Sequence, residues 1–190
     1  FETTNDEVLT ILEKNHSSVD LANAIEISQT NNIDIRPTWM PFSPWTNQND
    51  LIDIIKLIEN YKLRETVDPI QLTIKLLIPK NSLILQRSEI NEYLKDYDKN
   101  SLSYMWDYKD EEVNKLQVSL FNYLLDTPDL DEHSQYLGMV KIIENMTQSN
   151  LKLDSNYSYK NVPKLSETWF CCAEPSQIQL DRIKTNTALI

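Results

Sequence analysis

The chain has 190 residues and a single glycine, and its 18 basic residues stand against 29 acidic ones, for a formal charge of -11 at pH 7. Average glycine usage would give roughly 13, so neither the G-x-G-x-x-G nor the G-x-x-x-x-G-K-[ST] phosphate loop can be written. The negative charge disfavours nucleic acid and anionic lipid as partners, and no apolar run approaches the roughly 18 residues of a membrane span.

Three helices are predicted in the first third of the chain. Asn5 is a candidate N-cap for a short amphipathic helix over residues 5–14. Ser17 and the residues after it open a second helix, which ends at Asn31-Asn32. Asn47 followed three positions later by Asp50 resembles a capping box and opens a third helix.

Two segments alternate between apolar and polar residues, which is typical of β-strands. They cover residues 33–40 and 70–78. With the third helix between them they form a strand-helix-strand unit long enough for a right-handed parallel crossover. Parallel strands buried on both faces should be apolar throughout, so the alternation favours a closed α/β barrel with outer helices and a polar lumen. The predicted lumen residues are Arg36, Thr38, Gln71, Thr73 and Lys75.

From about residue 88 the pattern becomes helical and polar, and no further strand is predicted. Helices are expected in SEINEYLKDY, in DEEVNKLQVSLFNYLL and in HSQYLGMVKIIENM. Residues 148–165 are predicted to be an extended connector. The sequence is therefore divided into the C-terminal part of a barrel at 1–87, a helical tail domain at 88–150, and a connector with a cysteine-containing tail at 151–190.

The only two cysteines are neighbours, Cys171 and Cys172. A disulfide between adjacent residues closes a strained ring, so we predict free thiols in a reducing compartment, the cytoplasm. A thiol pair flanked by aromatic residues and a carboxylate is a possible soft-metal or redox site. On composition alone, two buried inert cysteines are the commoner interpretation, and His16 and His133 do not complete a zinc site by spacing.

The tail segment WFCCAEP, residues 169–175, is the most specific motif of the chain. It resembles the terminus of the CUAEP/CCAEP-tail radical SAM proteins, whose members carry cysteine or selenocysteine at the position of Cys172. Four further segments resemble the same family. They are FETTNDEVL with KNHS within residues 1–17, RPTWMPFSPWT at 36–46, LLIPKNSL at 76–83 and YMWDYKD at 104–110.

This resemblance implies a partial TIM-type radical SAM barrel. Such enzymes cleave S-adenosylmethionine reductively at a 4Fe-4S cluster and produce a 5'-deoxyadenosyl radical that acts on a substrate, here an unknown small molecule or peptide. The cluster needs three cysteines in C-x-x-x-C-x-x-C, which this sequence lacks. The expectation is therefore a C-terminal part, inactive alone, whose partners are the missing N-terminal half of the same barrel and a reductant such as ferredoxin or flavodoxin.

The resemblance also assigns candidate site residues. It implies cofactor-binding roles for Glu2, Met40, Trp45, Leu77 and Ile78, with Trp45 in place of the family's glutamate, and catalytic roles for Cys171, Cys172 and Glu174. Arg36 and Lys75 are added as lumen cations, because a desolvated cation needs an anionic partner. That partner is either a cofactor or substrate carboxylate or a structural acid such as Asp34. For both Glu2 and His16 the alternative role is to cap a helix.

The scarcity of glycine gives a sharper prediction. Asn15, Asn32 and Asn81 stand where the related pattern has glycine, and asparagine tolerates positive φ better than most residues. We predict left-handed backbone at all three. The alternative to an enzyme is a non-catalytic acidic helical interaction module whose thiols are structural, and alkylation of Cys172 would separate the two hypotheses.

Overall fold

The computed structural model describes residues 1–154 and 157–159. This part of the chain is a mixture of α-helix and a small antiparallel sheet. Its α-helices are α1 (Asp6–Ile11), α2 (Ser18–Thr30), α3 (Gln48–Asn60), α4 (Glu111–Asp126) and α5 (Glu132–Thr147). Its strands are β1 (Leu94–Asp98) and β2 (Ser103–Trp106), and its 3-10 helices span Pro69–Thr73, Leu83–Gln86 and Ser88–Ile90. No described helix is long and apolar enough to cross a membrane.

The predicted starts of the first three helices are confirmed. The Asn5 side chain accepts hydrogen bonds from the backbone of the first turn of α1. A reciprocal capping box between Ser17 and Asp20 opens α2, and a second one between Asn47 and Asp50 opens α3. Each of these caps satisfies backbone N–H groups that a helix leaves without a partner, so the local sequence is enough to fix the start.

The two predicted parallel strands are wrong as regular elements. Residues 33–40 form no strand, because Pro37 has no N–H to donate and the backbone N–H of Trp39 is used by the Gln71 side chain at 3.0 Å. The second segment begins with a 3-10 helix, because Asp68 caps it and Pro69 occupies its first position. Within the described residues there is no barrel, and the parallel pairing found is an isolated bridge between Phe42 and Lys75.

Three extended segments nevertheless lie side by side. The N–H of Met40 donates to the carbonyl oxygen of Glu2 at 2.8 Å. The N–H of Leu76 donates to the carbonyl oxygen of Phe42 at 2.7 Å, and the N–H of Phe42 donates to the carbonyl oxygen of Ile74 at 3.2 Å. These bonds join residues 1–3, 39–42 and 74–78 in that order.

The region after residue 88 contains a hairpin that the sequence pattern did not predict. The helix expected in SEINEYLKDY is wrong, since β1 pairs antiparallel with β2 and Asp98 faces Ser103. Two backbone N–H groups of the turn donate to the Asp98 carboxylate, which closes the turn locally. The N–H of Tyr104 donates to the carbonyl oxygen of Ile78 at 2.8 Å, so the hairpin extends the row of segments.

The last two predicted helices are confirmed as α4 and α5. Their apolar faces join α2 and α3 in one core, with buried residues that include Ile25, Ile54, Val113, Leu120 and Met139. A second core lies under the 3-10 helices Leu83–Gln86 and Ser88–Ile90 and the hairpin, and it includes Met40, Ile74, Ile78, Ile90 and Trp106. The first core contains helices from both sides of residue 87, so the packing shows no boundary between the two predicted domains at that residue. The domain boundaries stay a prediction.

The prediction of left-handed asparagines is confirmed at all three positions. Asn15 and Asn32 have a φ of 54° and Asn81 has a φ of 66°. The same conformation occurs at Glu13 and Leu102, where the side chain makes it costlier. Backbone positions that glycine usually fills are thus occupied by other residues, which agrees with the presence of one glycine in the chain.

Candidate functional site

A cleft of about 450 Å³ lies over the extended segments. One wall is the end of α1 with the residues after it, and the other is the chain around the 3-10 helix Leu83–Gln86. The side chains that line it are largely apolar: Ile11, Leu12, Met40, Leu76, Leu77, Pro79, Leu83 and Ile84. Its charged and polar lining consists of Glu2, Glu13, Lys14, Ser82 and Arg87. An apolar cleft with a few polar groups is the usual form of a small-molecule site.

Three of the predicted cofactor-binding residues meet in this cleft. Glu2, Met40 and Leu77 come from the three extended segments and all line it. The Met40 and Glu2 backbones are joined by a hydrogen bond, so these two residues have a fixed relative position. The cleft is therefore built from residues that are far apart in the sequence.

The Glu2 carboxylate is the most constrained charge of the cleft. Its Oε1 lies 2.6 Å from Nζ of Lys14. Burial raises the pKa of Glu2, but the hydrogen bond and charge of Lys14, together with weaker effects of other nearby charges, lower it by more, and the pKa lies below its ordinary value. The other oxygen, Oε2, is buried and has no hydrogen-bond partner among the residues that the structure describes. Glu2 is thus a charged carboxylate with one oxygen left to accept a hydrogen bond.

His16 lies beside Glu2 and caps no helix. Its Nδ1 contacts the carbonyl oxygen of Lys14 at 3.0 Å, and α1 ends before that residue. Its Nε2 is 3.9 Å from Oε2 of Glu2 and also lacks a hydrogen-bond partner within the described ranges. Glu2 does not cap α1 either, since Asn5 does.

The other four predicted cofactor-binding residues lie outside the cleft. Arg36 forms an ion pair with Asp68 at 3.5 Å. This agrees with the alternative that its partner is an acid of the protein, although the acid is not Asp34. Nζ of Lys75 lies 4.9 Å from the centre of the Trp106 ring. Nε1 of Trp45 donates to the carbonyl oxygen of Glu89 at 3.3 Å, and Ile78 is fully buried in the second core.

Sequence reasoning missed Arg87, which lines the cleft opposite Glu2 and Lys14. Its Nη1 donates to Oε1 of Glu13 at 2.6 Å, so an ion pair joins the two walls. Arg87 follows a 3-10 helix, belongs to none of the motifs that carry the resemblance and is the last residue of the part assigned to the barrel. No sequence signal pointed to it.

The predicted catalytic residues Cys171, Cys172 and Glu174 lie outside the described residues. In the part of the chain that the structure describes, no three His, Cys, Asp or Glu side chains are close enough to share a metal ion. The cleft can thus bind a small molecule through an apolar floor, a carboxylate at one side and a guanidinium at the other. The chain matches no protein-family model, no curated protein and no solved structure.

Proposed function

We propose that this chain is the C-terminal part of a radical SAM barrel and that its cleft binds S-adenosylmethionine. The observation that carries the proposal is the meeting of Glu2, Met40 and Leu77, three residues from separate segments that the sequence resemblance assigns to the cofactor, in one cleft. The assignment to the radical SAM class depends on the sequence motifs that resemble this family.

The order of elements supports the barrel part of the proposal. Extended segments at 1–3, 39–42 and 74–78 are separated by helices, and each segment is hydrogen-bonded to the next one in the sequence. The isolated bridge between Phe42 and Lys75 is parallel. Neighbouring parallel segments with helical connections are the building units of an α/β barrel. Without further strands beside them, such segments would stay irregular.

The cleft suits the cofactor in size and chemistry. Its volume lies in the range of about 300–1,000 Å³ that small-molecule sites occupy. Met40, Leu76 and Leu77 offer an apolar surface for a nucleobase and exclude water from it. The free oxygen of Glu2 would accept a hydrogen bond from a ribose hydroxyl or from the ammonium group, and Lys14 keeps this carboxylate charged.

The iron-sulfur cluster does not fit the residues present. No group of three metal-ligating side chains occurs in the described residues, and the chain has only two cysteines, which are adjacent. A 4Fe-4S cluster needs several cysteine thiolates. In the proposed enzyme the cluster would be held by cysteines outside this chain, and it would supply the electron that cleaves the cofactor. This chain contributes the binding and orientation of the cofactor.

The tail thiols form the second part of the proposal. Cys171 and Cys172 would act as redox or ligand thiols, with Glu174 as a proton acceptor, and the support is the CCAEP motif alone. Replacing Cys172 by serine should abolish substrate turnover while cofactor binding is retained. Replacing Ser176, a hydroxyl residue of the same tail, by alanine is the control and should change neither.

The test uses the full polypeptide that contains this chain, reconstituted anaerobically with iron and sulfide. We expect dithionite-dependent formation of 5'-deoxyadenosine from S-adenosylmethionine, and a KM for the cofactor that rises at least tenfold in Glu2→Gln. Glu7→Gln, which changes an exposed glutamate of α1, should leave KM unchanged. A full polypeptide that binds no cluster and forms no 5'-deoxyadenosine would contradict the proposal and favour the interaction module.

A further inference from the structure

The guanidinium of Arg87 is only partly used by the protein. Nη1 donates to Oε1 of Glu13 at 2.6 Å, and Nη2 lies 3.8 Å from Oε1 of Glu89, beyond hydrogen-bond distance. Nε is buried and has no hydrogen-bond partner among the described residues. The edge formed by Nε and Nη2 therefore has no strong acceptor, although Arg87 lines the cleft.

This edge has the geometry that recognises an oxyanion. Nε and Nη2 point the same way in the plane of the guanidinium and pair with the two oxygens of a carboxylate in parallel. A buried N–H group without a partner destabilises the protein, because it has lost its hydrogen bonds to water. An oxyanion at this edge would remove that cost.

The acids already near Arg87 are weak competitors for this position. The side chains of Glu13 and Glu89 are 64% and 41% exposed. Ion pairs of exposed side chains contribute little to stability, because water and salt screen them. A carboxylate inside the cleft would sit against Leu83 and Ile84, where less water screens the charge. A ligand carboxylate can therefore displace Glu89 from Nη2 while Glu13 remains on Nη1.

We infer that Arg87 is the anion-recognition residue of the cleft and that the substrate taken there carries a carboxylate on an apolar body. The assignment of this molecule as substrate rests on the proposed function. A carboxylate is favoured over a phosphate because a single guanidinium edge, flanked by Glu13 and Glu89, offers too little positive charge for a dianion. The net charge of -11 acts in the same direction.

A methyl-NMR titration of this chain tests the inference. Methyl groups labelled with ¹³C on methionine provide a reporter in the cleft, Met40, and an internal reference in the other core, Met139. The probes are hexanoate, hexan-1-ol and hexyl phosphate, which differ only in the head group. We expect hexanoate to shift the Met40 signal saturably, with a Kd at least tenfold lower than that of either other probe, and to leave Met139 unchanged.

Variants assign the effect to Arg87. Arg87→Gln should raise the Kd of hexanoate at least tenfold, and Arg87→Lys should restore only part of the affinity, because an ammonium lacks the forked edge. The matched control is Arg36→Gln, an arginine of similar exposure that pairs with Asp68 outside the cleft, and it should leave Kd unchanged. Equal Kd values for hexanoate and hexan-1-ol, no hexanoate shift, or an unchanged Kd in a folded Arg87→Gln would overturn the inference.

The source of the carboxylate is separated by comparing S-adenosylmethionine with 5'-methylthioadenosine, which lacks the amino-acid group. If Arg87→Gln weakens only S-adenosylmethionine and not hexanoate, the anion is the cofactor's own and the substrate assignment is wrong. If hexanoate binding depends on Arg87 while the full polypeptide neither binds S-adenosylmethionine nor forms 5'-deoxyadenosine, the proposed function fails and the carboxylate site stands. The two proposals can therefore fail independently.

Discussion

Nε2 of His16 lies 3.9 Å from Oε2 of Glu2, and neither atom has a hydrogen-bond partner in the described part of the chain. Nδ1 of the same ring contacts the carbonyl oxygen of Lys14, which can only accept, so Nδ1 carries a proton. A ligand group placed between Nε2 of His16 and Oε2 of Glu2 could hydrogen-bond to both atoms.

The ionisation of Glu2 gives a pH-dependent contribution to stability. Burial raises the pKa of Glu2. The hydrogen bond and charge of Lys14, with weaker effects of nearby charges, lower it by more, so the pKa lies below its ordinary value of 4.5. The folded state therefore favours the carboxylate, and its stabilisation is present above about pH 4.5 and lost as the pH falls through the lowered pKa. We expect Glu2→Gln to reduce the free energy of unfolding by about 1 kcal/mol at pH 7, with a smaller reduction at each step below pH 4.5.

Urea denaturation in that pH series measures the effect. Glu26→Gln is the control, since this exposed glutamate lies in the middle of α2 and a glutamine can still accept the hydrogen bond from Tyr61, so its effect should be small at every pH. A Glu2→Gln difference that stays constant from pH 7 to acid would show that the carboxylate charge is not what stabilises the fold.

The buried ion pair between Glu59 of α3 and Arg64 in the loop after this helix is predicted to be a main stabilising contact, and Tyr136 links it to α5. Both side chains are buried, at 3% and 9% exposure, and Nε of Arg64 donates to Oε1 of Glu59 at 2.7 Å. Tyr136 of α5 donates to the same oxygen at 2.8 Å, and burial, followed by the charge of Glu59, raises the pKa of Tyr136 so that it remains a donor. Glu59→Gln would leave a buried cation and should cost about 3–5 kcal/mol.

The control for Glu59→Gln is Lys56→Gln on the same helix. Lys56 pairs with Asp53 at 3.0 Å, but both side chains are more than half exposed. Its loss should change the free energy of unfolding by less than about 0.5 kcal/mol. Equal effects of the two substitutions, measured by urea denaturation, would mean that burial does not decide the value of the Arg64 pair.

Gly138 is required where α5 meets α4. A Cβ at this position would lie 2.0 Å from the hydroxyl oxygen of Tyr123 and 2.4 Å from the ring carbon that bears it. Overpacking costs about 1–3 kcal/mol and helix propensity returns about 1 kcal/mol, so Gly138→Ala should destabilise the fold by up to about 2 kcal/mol. In a Tyr123→Leu background the same change should be neutral or favourable, because alanine gains about 1 kcal/mol over glycine in a helix. A double-mutant cycle by urea denaturation measures this, and additive effects would exclude the contact.

The sequence predicted those parts of the fold that depend on neighbouring residues. The capping boxes at Ser17 and Asn47 form because each cap bonds a residue three positions away. The alternation in residues 70–78 failed as a strand signal because Asp68 and Pro69 start a 3-10 helix before pairing can begin. The β1–β2 hairpin was missed because its turn contains no glycine, and Leu102 adopts the left-handed conformation instead.

The candidate site was predictable only in part, because its residues are brought together by tertiary contacts rather than by neighbours in the sequence. Glu2, Met40 and Leu77 lie in the motifs that carry the family resemblance, and they meet in the cleft. Periodicity placed Arg36 and Lys75 on a lumen face that requires regular strands, and without those strands both cations have other contacts. Arg87 lines the cleft because the tertiary fold places the 3-10 helix Leu83–Gln86 beside it, and no local sequence pattern predicts that placement.

The left-handed Leu102 provides the last prediction. It is 65% exposed and has a φ of 55°, a conformation that costs a residue with a Cβ about 1–2 kcal/mol. Glycine removes this strain and loses about 0.5–1 kcal/mol of unfolded-chain entropy, so Leu102→Gly should be stabilising by about 0.5–1 kcal/mol. Leu83 is equally exposed without a positive φ, so Leu83→Gly should be destabilising, and Leu102→Ala should be close to neutral. If urea denaturation gave Leu102→Gly and Leu83→Gly the same sign, backbone strain at Leu102 would be excluded as a determinant of stability.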